Sequence, residues 1–409
     1  MRQEPSLSLD KTAIMDAEGN HTAPVYAKRK VVAVRGQGAL LWDIDGKEYI
    51  DCMAGYGTTI VGHSHPVVVE AAKAQAEKLI ACHASLYNDT RAQYVSKLIK
   101  VTPQGLTSVF LSNSGGEAVE AAIKLARKYT KKRGIIAMMR SFHGKTMGAL
   151  STTWDAKYRS PFEPLVPGVT FVPYGKPDRV RDAINDGTAA IIVEPIQGEG
   201  GVHVAPEGYL KQLREIADEK GALLIFDEIQ TGFARTGKLF ALEHWQVVPD
   251  VLCLAKSAGS GLPLGITVSR PEIMSSLRVG EHSSTFGGNP LVCAAASATL
   301  DVIFEERLWE KAGSLGEYFR MRLGELGERL AVIREIRGLG LMVGVETRFE
   351  ANRIVGMMLD RGVIMLTAGA NVLRFLPSAA ITPAQIDTVV RHLEDSFRQL
   401  SMEKSPPQP

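Results

Sequence analysis

Cysteine is scarce in this 409-residue sequence: Cys52, Cys82, Cys253 and Cys293 lie far apart, with no C-x-x-C pair. Neighbouring residues therefore cannot assemble a zinc ribbon or a redox motif; reduced core thiols and no metal are expected. Excess charge of one sign is also missing. The 47 basic and 45 acidic side chains leave a net +2, which excludes a polybasic nucleic-acid binder or an electrostatic membrane clamp. No apolar run approaches the roughly eighteen residues of a membrane span. The opening M-R-Q-E-P-S-L-S-L-D has acid and proline where a signal peptide needs an apolar stretch. A cytoplasmic protein with no nucleic-acid or membrane partner is expected.

What is present is enough chain for two to three domains and a deep cleft, with 45% apolar and 22% charged residues. Short apolar runs at 108–112, 134–139, 189–196, 222–229 and 251–255 read as buried strands, because both of their faces are apolar. Amphipathic stretches fill the gaps. After Ser114, Ala118, Ala121, Ala122 and Leu125 recur at helical spacing, and Val119, Ile123 and Ala126 widen that face enough to cover a sheet. The alternation predicts an α/β fold with a mostly parallel sheet covered on both faces.

Beyond about Val302 the texture changes to long charged helices and short strands near 334–346 and 371–376, a smaller α+β domain. Its last helix is announced by Thr382 as N-cap, Pro383 at the first helical position and Gln385 closing a capping box. The expected division is 1–61 as an arm that completes the small domain, 62–305 as the large domain, 306–400 as the small domain and 401–409 as a disordered tail.

Three patterns imitate function. Gly232 to Lys238 has P-loop spacing, but Leu239 stands where magnesium needs a hydroxyl. Gly36-Gln-Gly38 and Gly338-Leu-Gly340 lack the third glycine of a dinucleotide fingerprint and read as turns. The basic cluster at Arg127, Lys128, Lys131, Lys132 and Arg133 reads as a solvated helix end with Gly134 as its stop.

The chemistry-bearing pattern is different. Glu194, Asp227 and Lys256 each end a predicted strand, about one β-α unit apart. In an open parallel sheet the strand C-termini form the ligand crevice, so two carboxylates and a lysine should converge there. Singly, Asp227 could cap a helix, Glu194 could pair at the surface and Lys256 could be a solvated strand end. The surrounding words decide between these readings: S-N-S-G-G-E-A, then L-L-I-F-D-E-I-Q-T-G-F-A-R-T-G-K-L-F-A, then P-D-V-L-C-L-A-K.

Those words resemble the class III (subgroup II) pyridoxal-phosphate aminotransferases, the group of acetylornithine, ornithine and 4-aminobutyrate aminotransferases, from about Pro24 to Arg398. The resemblance implies the fold-type I architecture, pyridoxal 5′-phosphate as cofactor and a homodimer or dimer of dimers. It makes Lys256 the residue that carries the cofactor and then moves the substrate proton. It makes Asp227 the partner of the pyridine nitrogen and Gln230 that of the ring hydroxyl. Ser114, Gly115 and Gly116 become the phosphate cradle at a helix N-terminus. Phe142 becomes the ring-stacking aromatic, with His143 beside it and Glu194 also near the cofactor. Thr285 in S-S-T-F-G-G-N-P is implied to reach the phosphate of the neighbouring subunit.

For substrates, the resemblance implies that Arg374 forks onto the α-carboxylate of glutamate and that Glu199 pairs with it when no carboxylate is bound. Tyr56 matches a tyrosine that contacts the distal carboxylate in ornithine-type enzymes. Lys145 departs from the family arginine of F-H-G-R-T and loses its bidentate fork. The runs 147–165 and 334–344 look like aminotransferases of prokaryotic lysine and arginine biosynthesis, which act on acetylated or carrier-protein-bound semialdehydes. The expected reaction passes the terminal amine of an ornithine-, acetylornithine- or lysine-like donor to a 2-oxo acid, 2-oxoglutarate. An amino-group carrier protein is a possible partner. A 4-aminobutyrate-type enzyme and a racemase or aminomutase on the same scaffold remain as alternatives.

Overall fold

Seven short runs build the large sheet of the computed structural model, which describes residues 10–404. In chain order they are β1 (Ser108–Ser112), β2 (Gly134–Met138), β3 (Val169–Val172), β4 (Thr188–Val193), β5 (Leu223–Asp227), β6 (Val251–Leu254) and β7 (Gly265–Ser269). In space they lie in the order β1-β7-β6-β5-β4-β2-β3. Only β7 runs antiparallel to its neighbours. The fold is therefore the α/β class expected, with a mostly parallel mixed sheet. Strands β4 to β7 are buried along their whole length, because helices cover both faces. Leu223 and Ile225 pack into one core with Ala118, Ala122 and Leu125. Leu224 and Phe226, pointing the other way, enter the second. Each such side chain contributes about 1.5–3 kcal/mol by leaving water. Strand β1 departs from the expectation: it is the sheet's edge and is only partly buried.

The helix over Gly115–Thr130 carries the expected apolar face, from Ala118 to Ala126. Its end differs from the sequence reading. Lys131 supplies the left-handed stop at φ 61° and donates its N–H to Arg127 O at 3.1 Å, whereas Gly134 opens β2. The basic cluster is largely used up on carbonyls and an acid: Arg127 reaches Pro167 O, Lys128 pairs with Glu281, and Lys132 caps Lys220 O and Gly221 O at the end of the helix Tyr209–Lys220.

The smaller α+β unit has an antiparallel sheet of 333–339, 342–347, 372–375 and 366–367. Gly340 turns its first hairpin at φ 53°. The N-terminal strands 33–37, 40–43 and 48–51 take a fourth partner from 363–364, so the two ends of the chain meet in one sheet. The capping box of the last helix forms in both directions: Thr382 N donates to Gln385 Oε1 at 2.9 Å, and Gln385 N to Thr382 Oγ1 at 3.2 Å. That helix runs to Lys404, which corrects the expected tail for 401–404. The rest of the tail lies outside the described residues. Among those described, no helix is long and apolar enough to cross a membrane, and no acid, histidine and cysteine group could hold a metal.

Candidate active site

Because β7 alone is reversed, the C-terminal ends of β1, β2, β4, β5 and β6 share one edge of the sheet. Ser114 follows β1, Phe142 and His143 follow β2, Glu194 follows β4, Asp227 ends β5, and Lys256 stands two residues past β6. These residues, with Gly115, Gly116, Glu199 and Gln230, line a cavity of about 370 Å³. Ten of the fourteen expected site residues thus meet in one place, within the size range of small-molecule pockets.

Asp227 is buried and fully engaged. Its Oδ2 lies 2.7 Å from His143 Nδ1, and its Oδ1 accepts the N–H of Ile229 at 3.0 Å. An ionised Asp227 puts the imidazole proton on Nδ1, which leaves His143 Nε2 buried without a partner. Glu194 accepts the N–H groups of Phe142 and Gly198 at 3.0 and 3.2 Å. Burial, reinforced by Asp227, pushes its carboxyl up to about 7 against the pull of His143 and those two amides. Lys256 holds φ 45°, a left-handed conformation that costs a side-chain-bearing residue about 1–2 kcal/mol. Burial lowers its ammonium below the usual lysine range, with Arg374 adding to the effect while Glu199, Asp227 and Glu194 oppose it. A depressed amine is a better nucleophile and base.

The phosphate-cradle expectation falls on a well-made helix start. Ser114 caps it by accepting Glu117 N–H at 3.3 Å, and the Glu117 carboxylate reaches back to Asn113 N at 2.8 Å. The first helical N–H groups, at Gly115 and Gly116, have no carbonyl partner within the helix. A Cβ on Gly115 would sit 2.9 Å from Ile229, whereas one on Gly116 would meet nothing closer than 3.5 Å. An acid, a depressed lysine and a glycine-lined helix start in one cavity fit pyridoxal phosphate.

Arg374 is completely buried and donates from Nη1 to Glu199 Oε1 at 2.5 Å and to Gln230 Oε1 at 3.2 Å. Burial raises the Glu199 carboxyl, but the adjacent guanidinium, with Lys256 and Gln230, outweighs it and leaves the group below its ordinary range. Arg374 Nε and Nη2 have no partner. Glu199 belongs also to the wall of a second, outer space of about 1250 Å³, bounded by Arg374, Phe142, Tyr56 and residues of the N-terminal arm. Phe142 and Glu199 line both this vestibule and the inner cavity.

The other three expected residues lie elsewhere. Tyr56 lines the vestibule, at φ 61° within a turn of four left-handed residues, 54–57. Asp51 Oδ1 holds that turn by accepting Met53 N–H and Ala54 N–H at 2.8 and 3.0 Å, while its Oδ2 meets His63 at 2.7 Å. Ser257, next to Lys256, donates to Gly57 O at 3.0 Å. Lys145 is exposed and sits over the Tyr158 ring at 5.3 Å, outside the lining of both spaces. Thr285 is exposed and also outside both linings. Sequence reasoning missed Asn113, Ile229 and the 261–264 loop, all in the cavity wall. Asn113 and Ile229 stand beside expected residues, and adjacency was the available signal.

Comparison with known proteins agrees. The aminotransferase class-III family model matches residues 22–397. The chain is 46% identical over 385 residues to an acetylornithine aminotransferase of Methanosarcina mazei, covering 94% of this chain and 96% of that protein. It is 48% identical over 381 residues to a LysW-aminoadipate semialdehyde transaminase of Deinococcus radiodurans, covering 92% and 88%. Among solved structures, an ornithine aminotransferase from Toxoplasma gondii superposes with a TM-score of 0.93 at 35% identity, covering 97% of each chain. A second structure of the ornithine aminotransferase from that organism is described as having PLP at partial occupancy in its active site.

Proposed function

The chain belongs to the class-III aminotransferases, which are pyridoxal-phosphate-dependent enzymes, and we propose that it is an ω-aminotransferase: it passes the terminal amine of an acetylornithine-, ornithine- or lysine-type donor to 2-oxoglutarate, giving a semialdehyde and glutamate. The observation that carries this reading is the pairing of the wholly buried Arg374 with the partly buried Glu199. A transaminase must accept, at one site, first a donor with no charge near its reacting carbon and then glutamate or 2-oxoglutarate with a carboxylate there. An arginine left buried and unpaired would cost about 3–5 kcal/mol. Glu199 neutralises Arg374 in the first case and swings aside in the second, toward the vestibule that it already borders. A racemase has one substrate and needs no such exchange.

Pyridoxal phosphate, when bound, supplies an aldehyde that captures amines and a ring that withdraws electrons from the reacting carbon. Lys256 would anchor the group, and its Nζ would take and return the proton at the substrate carbon. Asp227, oriented by His143 and by the Ile229 amide, would keep a proton on the ring nitrogen. Gln230 would serve the ring hydroxyl, Phe142 would lie against the ring, and Ser114, Gly115 and Gly116 would hold the phosphate. The enzyme works as a cytosolic dimer in which Thr285 of each subunit reaches the other's phosphate. Donors displayed on a small carrier protein fit the same reading; the LysW relative and the wide vestibule support it.

A donor screen tests the proposal. Purified holoenzyme with acetylornithine, ornithine, lysine or 4-aminobutyrate should form glutamate only when 2-oxoglutarate is present. Loss of optical rotation without consumption of the keto acid would overturn it in favour of a racemase. Glu199→Gln should slow the donor half-reaction by about 10–100-fold, the value of a charge-assisted hydrogen bond, and the glutamate half-reaction much less. Equal losses in both would exclude the exchange.

A further inference from the structure

In the proposed exchange Glu199 leaves Arg374 and returns to it in every cycle, so the place of the chain that carries Glu199 decides whether the pair re-forms. Glu199 stands in the loop of a short hairpin, between Ile196–Gln197 and His203–Val204. That loop is strained: Gly201 holds φ 122° and Val202, a β-branched residue, φ 58°. Such a conformation persists only where the surroundings over-determine it. Two surfaces do so. On one side the loop lies against residue 140, where a Cβ on Gly200 would sit 2.3 Å from Arg140 O, and His203 Nε2 meets Arg140 Nη1 at 3.1 Å. On the other side it rests on the sheet of the smaller unit. There Arg337, Gly344 and Arg374 are paired in one row across the strands 333–339, 342–347 and 372–375, and residues directly opposite one another share a face. Gly344 is the floor of the row, since a Cβ there would meet Val202 Cβ at 2.8 Å. Val202 is wholly buried, in one apolar cluster with Met342 and Leu376. The two arginines stand on either side: Arg374 takes the Glu199 carboxylate, and Arg337 Nε donates to Gly201 O at 2.7 Å. Arg337 Nη1 is held in turn by Glu335 and Glu346, at 2.6 and 2.8 Å. Its side chain is 9% exposed and lines neither the cavity nor the vestibule, so it acts on a substrate only through the loop.

We propose that Arg337 is a positioning residue for this exchange: with Gly344 as the floor between them, Arg337 and Arg374 form a cradle that fixes the backbone of 198–202, so that Glu199 leaves and regains Arg374 by side-chain rotation alone. The two arginines divide the work. Arg374 meets the carboxylate that moves, and Arg337 holds a carbonyl two residues on that does not. A guanidinium presents Nε and Nη1 in a rigid fork, so one side chain serves Gly201 O and both carboxylates at once; an ammonium on a flexible stem lacks that fixed geometry. Arg337 and Gly344 both fall in the run 334–344, which thereby gains a task at the site. The inference rests on the proposed Arg374–Glu199 exchange for its consequence, and on the Gly201 bond and the strand register for its place.

Half-reactions of the holoenzyme, followed by the cofactor's absorbance, separate positioning from mere support. The probes are N-acetylornithine, whose reacting carbon carries no carboxylate, and glutamate, whose reacting carbon does. Arg337→Gln should slow the first half-reaction by about tenfold, as for a weakened charge-assisted bond, and the second much less. Arg337→Lys should recover part of the loss. Gly344→Ala alters no charge but lifts the loop, and it should shift the balance in the same direction. Combined with Glu199→Gln, Arg337→Gln should add nothing, because both act on one pairing. Additive losses, or equal losses of Arg337→Gln in both half-reactions, would overturn the positioning role and leave Arg337 as a structural tie. A second readout needs no turnover: amide hydrogen exchange over 198–204 should quicken about tenfold in Arg337→Gln, with the rest of the smaller unit unchanged. Unaltered exchange over 198–204 would overturn the cradle. If N-acetylornithine does not react, or Glu199→Gln slows both half-reactions equally, the substrate reading fails, and quickened exchange over 198–204 upholds the cradle without it.

Discussion

At the scale of single residues, the site depends on charges that are buried and individually answered. Asp227 has one oxygen on His143 and the other on an amide, so its carboxylate cannot rotate away from the cavity. An adjacent carboxylate raises the pKa of a pyridine nitrogen by roughly 1–3 units, or about 1.4–4 kcal/mol. Asp227→Asn preserves the shape and removes the charge. It should slow single-turnover amine release by about 10–1000-fold, with the protein folded normally by circular dichroism. An unchanged single-turnover rate would show that Asp227 does not serve the ring nitrogen. Lys256 adds a different kind of constraint. Its left-handed backbone is strained, and it is held by neighbours on both sides: β6 behind it and Ser257, bonded to the 54–57 turn, after it.

At the scale of elements, what could be read from the sequence follows from range. Strand ends and the Thr382 capping box depend on residues a few positions apart, so local chemistry announces them. The positions of Asp227, Glu194 and Lys256 were legible for the same reason, since successive β-α units return the chain to the same edge. The place of Arg337 was not, because it depends on the register of three strands that bring Arg337, Gly344 and Arg374 into one row. The orientation of Lys145 was equally hidden, because Tyr158, which it covers, belongs to a separate short helix. Glu228 is an element-level device that the sequence reading passed over. Turned away from the cavity, it accepts Ala241 N–H and Leu242 N–H at 2.6 and 2.7 Å and holds the short turn Ala241–His244. Burial drives its carboxyl from an ordinary 4.5 up to about 7, against those amides. A carboxyl that binds its proton more tightly folded than unfolded contributes stability that is full below about pH 4.5 and lost as pH rises through about 7. Glu194 shares the shift, whereas His203, His244, His282 and His392, lowered by burial, add stability as pH rises toward 6.5. Comparison with the parent protein therefore isolates Glu228: the denaturation midpoint of Glu228→Gln should gain on the parent's between about pH 5 and pH 8. A constant difference over that range would mean that Glu228 is already ionised in the fold.

At the scale of the whole molecule, the P-loop imitation at Gly232 to Lys238 has a structural job. Arg235, wholly buried, donates to Leu341 O and Pro377 O in the smaller unit, and Leu341 N returns a bond to Arg235 O at 2.9 Å. The same segment begins just after Gln230, and Pro377 lies three residues past Arg374, so this clasp ties together the two segments whose Gln230 and Arg374 meet at 3.2 Å. A comparable dependence between subunits is expected at Thr285, which lies outside its own cavity on an exposed segment with Phe286. Mixed dimers test it. Lys256→Ala removes the anchoring amine. Thr285→Glu sets a carboxylate where a phosphate is expected, and repulsion should cripple both sites of its dimer. Each variant alone should be nearly inactive. Co-expressed, the two chains should pair to give one site with a wild-type lysine from one chain and a wild-type threonine from the other. Statistical mixing across a two-fold dimer then restores roughly a quarter of wild-type activity. If Thr285 instead served its own chain, every site would carry one of the two lesions, and the mixture would be no more active than the variants alone. Full activity of Thr285→Glu by itself would remove Thr285 from the site altogether.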